Sequence, residues 1–152
     1  MKRNRRSGFT LIEVLIVVVI MAVLAATIIP QFSTSTEDAK ASQQEFNLHT
    51  LRSQIQLYKI QHNGQNPAIT NNLEQLTTKT DLNGTVNAET GVYGPYILDE
   101  LPNNPFTNLN TVAATAATAE DDLTYGGGGW LYNATTGMIW ADQDAEEEPE
   151  TP

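Results

Sequence analysis

Apolar residues crowd into one block near the start of the chain. Phe9 to Ile29 reads FTLIEVLIVVVIMAVLAATII, interrupted by one charge, Glu13. As a helix rising ~1.5 Å per residue this block is about 30 Å long, the thickness of a bilayer's hydrocarbon core. Past Pro30 the pattern changes to Leu48, Leu51, Ile55 and Tyr58, spaced by threes and fours, which predicts one stripe of an amphipathic helix. Phe46, Leu57 and Ile60 fall on the opposite side of that wheel, so one face is expected to pack on a domain and the other to meet neighbours. His62-Asn63-Gly64 with Pro67 beyond is a helix stop.

After Gly64 only short pieces follow. Asn71 precedes Glu74 by three residues, the spacing of a capping box for a turn or two of helix. The stretch 81–96 reads as loop, and 95–106, bounded by prolines, as an extended surface crossing. The Ala- and Thr-rich stretch 107–120 reads as a flexible insertion. Trp130-Leu131-Tyr132 and Met138-Ile139-Trp140, separated by a turn ending in Gly137, predict a β-hairpin whose aromatics pack a sheet on a helix. The acidic tail from Asp142 is expected to be disordered.

Charge divides along the chain and narrows the function. Four of the eight basic residues, Lys2, Arg3, Arg5 and Arg6, precede the apolar block, while all 18 acidic residues follow Gly8. By the positive-inside rule this puts the N-terminus in the cytoplasm and exports the remainder. An exported part so acidic would repel a phosphate backbone, which argues against nucleic-acid binding. With no cysteine, disulfides, thiolate catalysis and Cys-based metal sites are excluded. His49 and His62 stand too far apart to share a helical turn and are expected to be solvated. No Ser, His and Asp constellation or metal-ligand spacing is visible, and the Gly126–Gly129 run lacks the Lys and Ser or Thr of a phosphate loop, so the chain is not expected to be an enzyme.

Basic residues, then Gly8-Phe9-Thr10-Leu11-Ile12-Glu13, then an unbroken apolar helix, resemble the class III signal of type IV prepilins and type II secretion pseudopilins. The resemblance implies that a prepilin peptidase cuts between Gly8 and Phe9 and methylates the new amine. It places the family's glutamate at Glu13 and its helix-kinking proline at Pro30. Physically, an ammonium on Phe9 beside an apolar layer needs a counter-charge, and Glu13 of an axially displaced neighbour would supply one, penalising subunits out of register. Gly94-Pro95-Tyr96, Leu101-Pro102-Asn103-Asn104-Pro105-Phe106 and the Trp130 to Trp140 hairpin are similar, more weakly, to the major pseudopilin branch.

The expected fold is therefore α+β and pilin-like: a long N-terminal helix, half transmembrane and half amphipathic, on a small antiparallel sheet. The expected divisions are a cleaved leader at 1–8, a membrane and assembly helix at 9–30, its amphipathic continuation at 31–63, a periplasmic region at 64–141 and a tail at 142–152. The resemblance implies a pseudopilus subunit anchored in the inner membrane and polymerising with its own kind, served by the prepilin peptidase, an inner-membrane platform protein and an assembly ATPase. A surface type IV pilin or minor pilin, and a monomeric membrane-tethered binding module, are the competing readings. The family's calcium loop is not recognisable in this sequence; Asp121 and Asp122 are the nearest candidates for that ion, against the plainer reading of a solvated acidic turn.

Overall fold

The computed structural model describes residues 9–143, except for the side chains of 27–35. The expected leader at 1–8 and the part of the expected 142–152 tail beyond residue 143 lie outside the described residues. Asp142, expected to begin a disordered tail, is instead fully buried, because backbone N–H groups hold its carboxylate. Helix α1 spans Leu11–Gln61, 51 residues, and a short helical segment, α2, spans Thr70–Thr77. Three short strands follow: β1 (Val112–Ala114), β2 (Trp130–Asn133) and β3 (Met138–Ala141), with a single 3-10 turn at Glu120–Asp122 between β1 and β2. Contacts divide the chain into two units, Met1–Ala39 and Lys40–Pro152. Helical structure continues through Pro30, although the side chain of that residue, and with it the expected kink, lies outside the described residues.

Within the second unit the predicted stripe is the core. Leu51, Ile55 and Tyr58 of α1 are buried against Leu73, Leu76, Leu101, Trp130, Tyr132 and Ile139, with Leu48 partly buried beside them. Burying each such side chain contributes roughly 1.5–3 kcal/mol, which fixes this face of α1 on the sheet. Phe46 and Ile60 on the other face remain about two-thirds or more exposed, at 67% and 77%. Helix α1 then ends where the sequence says it should. Asn63 takes a left-handed conformation (φ 55°) and the Gly64 N–H reaches back 2.8 Å to the Lys59 carbonyl, the long closing bond of a Schellman motif.

The sheet has the order β1-β2-β3, with β2 and β3 antiparallel as the hairpin pattern predicts. Its turn is organised by Asn133, whose Oδ1 accepts from the Thr135 and Thr136 N–H groups, and by Gly137 at φ 79°. A Cβ at Gly137 would lie 2.6 Å from Oδ1 of Asn66, so the position is closed to larger residues twice over. The third strand differs from expectation: β1 runs parallel to β2 and lies inside the stretch that reads as a flexible insertion. There Ala117 is buried and its carbonyl accepts from Asn133 Nδ2 at 2.9 Å, so the segment is tied to the sheet through its backbone. Its low-complexity composition conceals this, because Ala is depleted in strands and the pairing is set by β2 rather than by local preference.

Two further segments depart from the sequence reading. The stretch 95–106 does not simply cross the surface, since Leu101 and Asn104 are buried and the Pro102 carbonyl accepts from Trp130 Nε1 at 2.8 Å. In α2 the residues Asn71, Asn72 and Leu73 have left-handed φ values, and Asn71 bonds the Glu74 side chain at 2.7 Å without capping the backbone. Asn72 serves elsewhere: its Nδ2 donates to the Asn110 carbonyl and its Oδ1 accepts the Val112 N–H of β1 at 2.6 Å.

Candidate assembly site at the start of the first helix

Described side chains from Phe9 to Leu24 form an apolar surface with no protein covering it. Phe9 is 81% exposed and Leu11 84%, and the large apolar residues through Leu24 are all exposed. Contiguous apolar surface of this extent marks a place of contact with lipid or another protein. Among the described residues no helix is long and apolar enough to cross a membrane. The apolar run whose side chains are described, 11–26, would be about 24 Å long, and the rest of the expected span falls at residues 27–29, whose side chains are not among those described.

The one charge in this run is tied to the helix start. Thr10 precedes the first helical residue, and its N–H and hydroxyl both donate to Glu13 Oε2, at 2.8 and 2.6 Å. In return the Glu13 N–H approaches Thr10 Oγ1 at 3.4 Å. This is a capping box: Thr at the cap and Glu three residues later satisfy donors that the helix leaves open. The carboxylate also lies in the first turn, where the helix dipole favours negative charge. Thr-x-x-Glu is itself a cap signal in the sequence, but the stronger apolar pattern around it masks Thr10 as one more residue of a processing motif.

The remaining predicted residues are scattered. Gly8, on one side of the expected cut, lies outside the described residues, whereas Phe9 is described and exposed. Asp121 and Asp122 stand on the exposed 3-10 turn after β1. Among the described residues no group of three His, Cys, Asp or Glu side chains is placed to hold a metal ion.

Sequence reasoning missed the polar interior of the second unit. His62, expected to be solvated, is fully buried and stacks on Tyr58 with ring centroids 3.8 Å apart. Its Nδ1 lies 2.9 Å from the Tyr58 carbonyl, which can only accept, so this nitrogen carries a proton. Nε2 lies 2.9 Å from Thr80 Oγ1, and Tyr93 and Tyr96 meet the ring edge-on. Every polar atom of the imidazole thus has a partner, an arrangement that packs a core and leaves no lone pair directed at solvent.

Two family models match the chain. Residues 3–29 match the prokaryotic N-terminal methylation motif, and residues 31–129 match type II secretion system (T2SS), protein G. Among curated proteins, the type II secretion system core protein G of Aeromonas hydrophila is 32% identical over 110 residues, covering 71% of this chain and 73% of that protein. The Vibrio cholerae protein of the same name is 31% identical over 107 residues, 70% of each. The Pseudomonas aeruginosa one is 35% identical over 79 residues, which cover 52% of this chain and only 55% of the relative. No solved structure gives a significant match. The methylation motif over the apolar helix, the protein G match from residue 31 to 129 and the long helix carrying a small sheet agree, and the chain belongs to the type II secretion system protein G family.

Proposed function

We propose that this protein is a structural subunit of a pseudopilus, polymerising through α1 to support protein secretion, with no catalytic role of its own. The supporting observation is the exposed apolar run of α1 that carries a single carboxylate, Glu13, as the fifth residue after the expected cut. In this reading a prepilin peptidase cuts between Gly8 and Phe9 and methylates Phe9. The helix anchors the subunit in the inner membrane with its C-terminal region in the periplasm, and a platform protein and an assembly ATPase move it into the filament.

Glu13 then has two successive partners. In the free subunit it belongs to Thr10, which keeps an ionised group satisfied within an apolar stretch. During assembly it turns to the Phe9 ammonium of a neighbour, and an unpaired charge at either end makes an out-of-register insertion costly. Replacing Glu13 with Val tests this: the protein is expected to accumulate in the envelope but fail to form filaments. Mass spectrometry of the wild-type envelope protein should find residues 1–8 missing and a methyl group on Phe9. Normal filaments from Glu13→Val, or a functional protein retaining its leader, would remove the proposal.

A further inference from the structure

A buried carboxylate of the second unit accepts three backbone hydrogen bonds and is not used by the proposed function. Asp142 follows β3, is fully buried and has no cationic partner among the described residues. Its Oδ1 accepts from the N–H groups of Gly126 and Gln143, both at 2.9 Å, and its Oδ2 accepts from the Gly128 N–H at 2.7 Å. The glycine run is wrapped around a carboxylate. A Cβ at Gly128 would lie 2.9 Å from Oδ2, too close without a shift, so the run is glycine at that position because the backbone must approach the anion. The Asp142 backbone is held as well, its N–H by the Gly129 carbonyl at 3.1 Å and its carbonyl by Asn104 Nδ2 at 2.6 Å. Asn104 Nδ2 also bonds the Gly129 carbonyl, and Gly127 N–H bonds the Gln143 carbonyl.

We propose that this chain closes its C-terminal lobe with an internal anion, the Asp142 carboxylate seated in the N–H groups of Gly126, Gly128 and Gln143, and that this closure uses no divalent cation. Successive backbone N–H groups form a concave positive surface suited to an anion, and here the protein supplies that anion from its own chain. Calcium, the ion implied by the resemblance, needs six to eight oxygen ligands. The Asp142 oxygens instead meet three N–H groups, whose positive ends would face a cation. Asp121 and Asp122 lie with Glu120 on an exposed turn, Asp142 is committed inward, and among the described residues no three such side chains are placed to hold a metal ion. These residues do not fit the ion.

The test compares thermal unfolding of the full-length protein in detergent, with millimolar calcium and with chelator. Wild-type melting is expected to be the same in both. Asp142→Ala leaves three N–H groups without an acceptor and is expected to melt about 5–15 °C lower, with or without calcium. Asp142→Asn retains one acceptor oxygen and should fall between the two. Should the alanine variant fail to fold, hydrogen exchange on the wild type and on Asp142→Asn decides. The peptide containing Gly126 and Gly128 should exchange slowly in the wild type and faster in the variant, while the α1 peptide around Ile55 stays protected in both. A wild-type melting temperature that rises with calcium, or glycine amides that exchange freely in the wild type, would overturn the proposal.

Discussion

At the scale of single residues, the interior is held by polar side chains that each satisfy several backbone groups. Asn133 organises its own turn and fastens the Ala117 carbonyl, and Asn104 joins two carbonyls near the end of the sheet. Tyrosines carry a pH consequence. Burial pushes the Tyr58 phenol up to about 12 from its ordinary value of 10, with the neighbouring Tyr96 and Asp81 adding to the shift, and raises Tyr132 as well. Each is therefore more readily ionised in the unfolded chain than in the folded one. The stability they contribute is complete below pH 10 and is lost as pH rises from there toward about 12. Tyrosinate absorbance should show a late fraction whose titration coincides with loss of tertiary structure, and a single smooth titration without unfolding would contradict this. None of these environments is legible in the sequence. A histidine, an asparagine or a tyrosine declares its burial only through what folds over it, and His62 is covered by Thr80, Tyr93 and Tyr96, 18 or more positions away.

At the scale of elements, periodicity is the reliable guide. The three- and four-residue spacing of Leu48, Leu51, Ile55 and Tyr58 identifies the packed face of α1, and the hairpin and helix stop stand where their turn residues place them. Helix α2 and strand β1 are not so readable, because each depends on a distant partner. The left-handed Asn72 is fixed by Asn110 and Val112, roughly forty positions on. The two faces of α1 should also differ in tolerance. Ile55→Ala in the core is expected to cost about 2–5 kcal/mol in a denaturant titration, whereas Ile60→Ala on the exposed face should cost under about 0.5 kcal/mol. Equal losses would mean that the exposed face is covered within the subunit.

For the whole molecule, the two units divide the labour. The first presents an apolar run interrupted by one carboxylate, Glu13, and the second presents a self-satisfied lobe whose hydrophobic stripe is taken up by its own sheet. The sheet's outer margins are occupied as well. On β1 the outward Val112 N–H is taken by Asn72, and on β3 the Ile139 carbonyl accepts both Nε and Nη2 of Arg52, at 3.3 and 3.1 Å. A side chain seated on a strand margin stops another chain from adding there. Subunits of this kind can be crowded along a fibre without their sheets fusing end to end. The filament should accordingly leave amyloid-reporting dyes dark and lack the ~4.7 Å cross-β reflection. It should also come apart into folded monomers under a detergent that competes for its greasy rods, reversibly, as an amyloid would not.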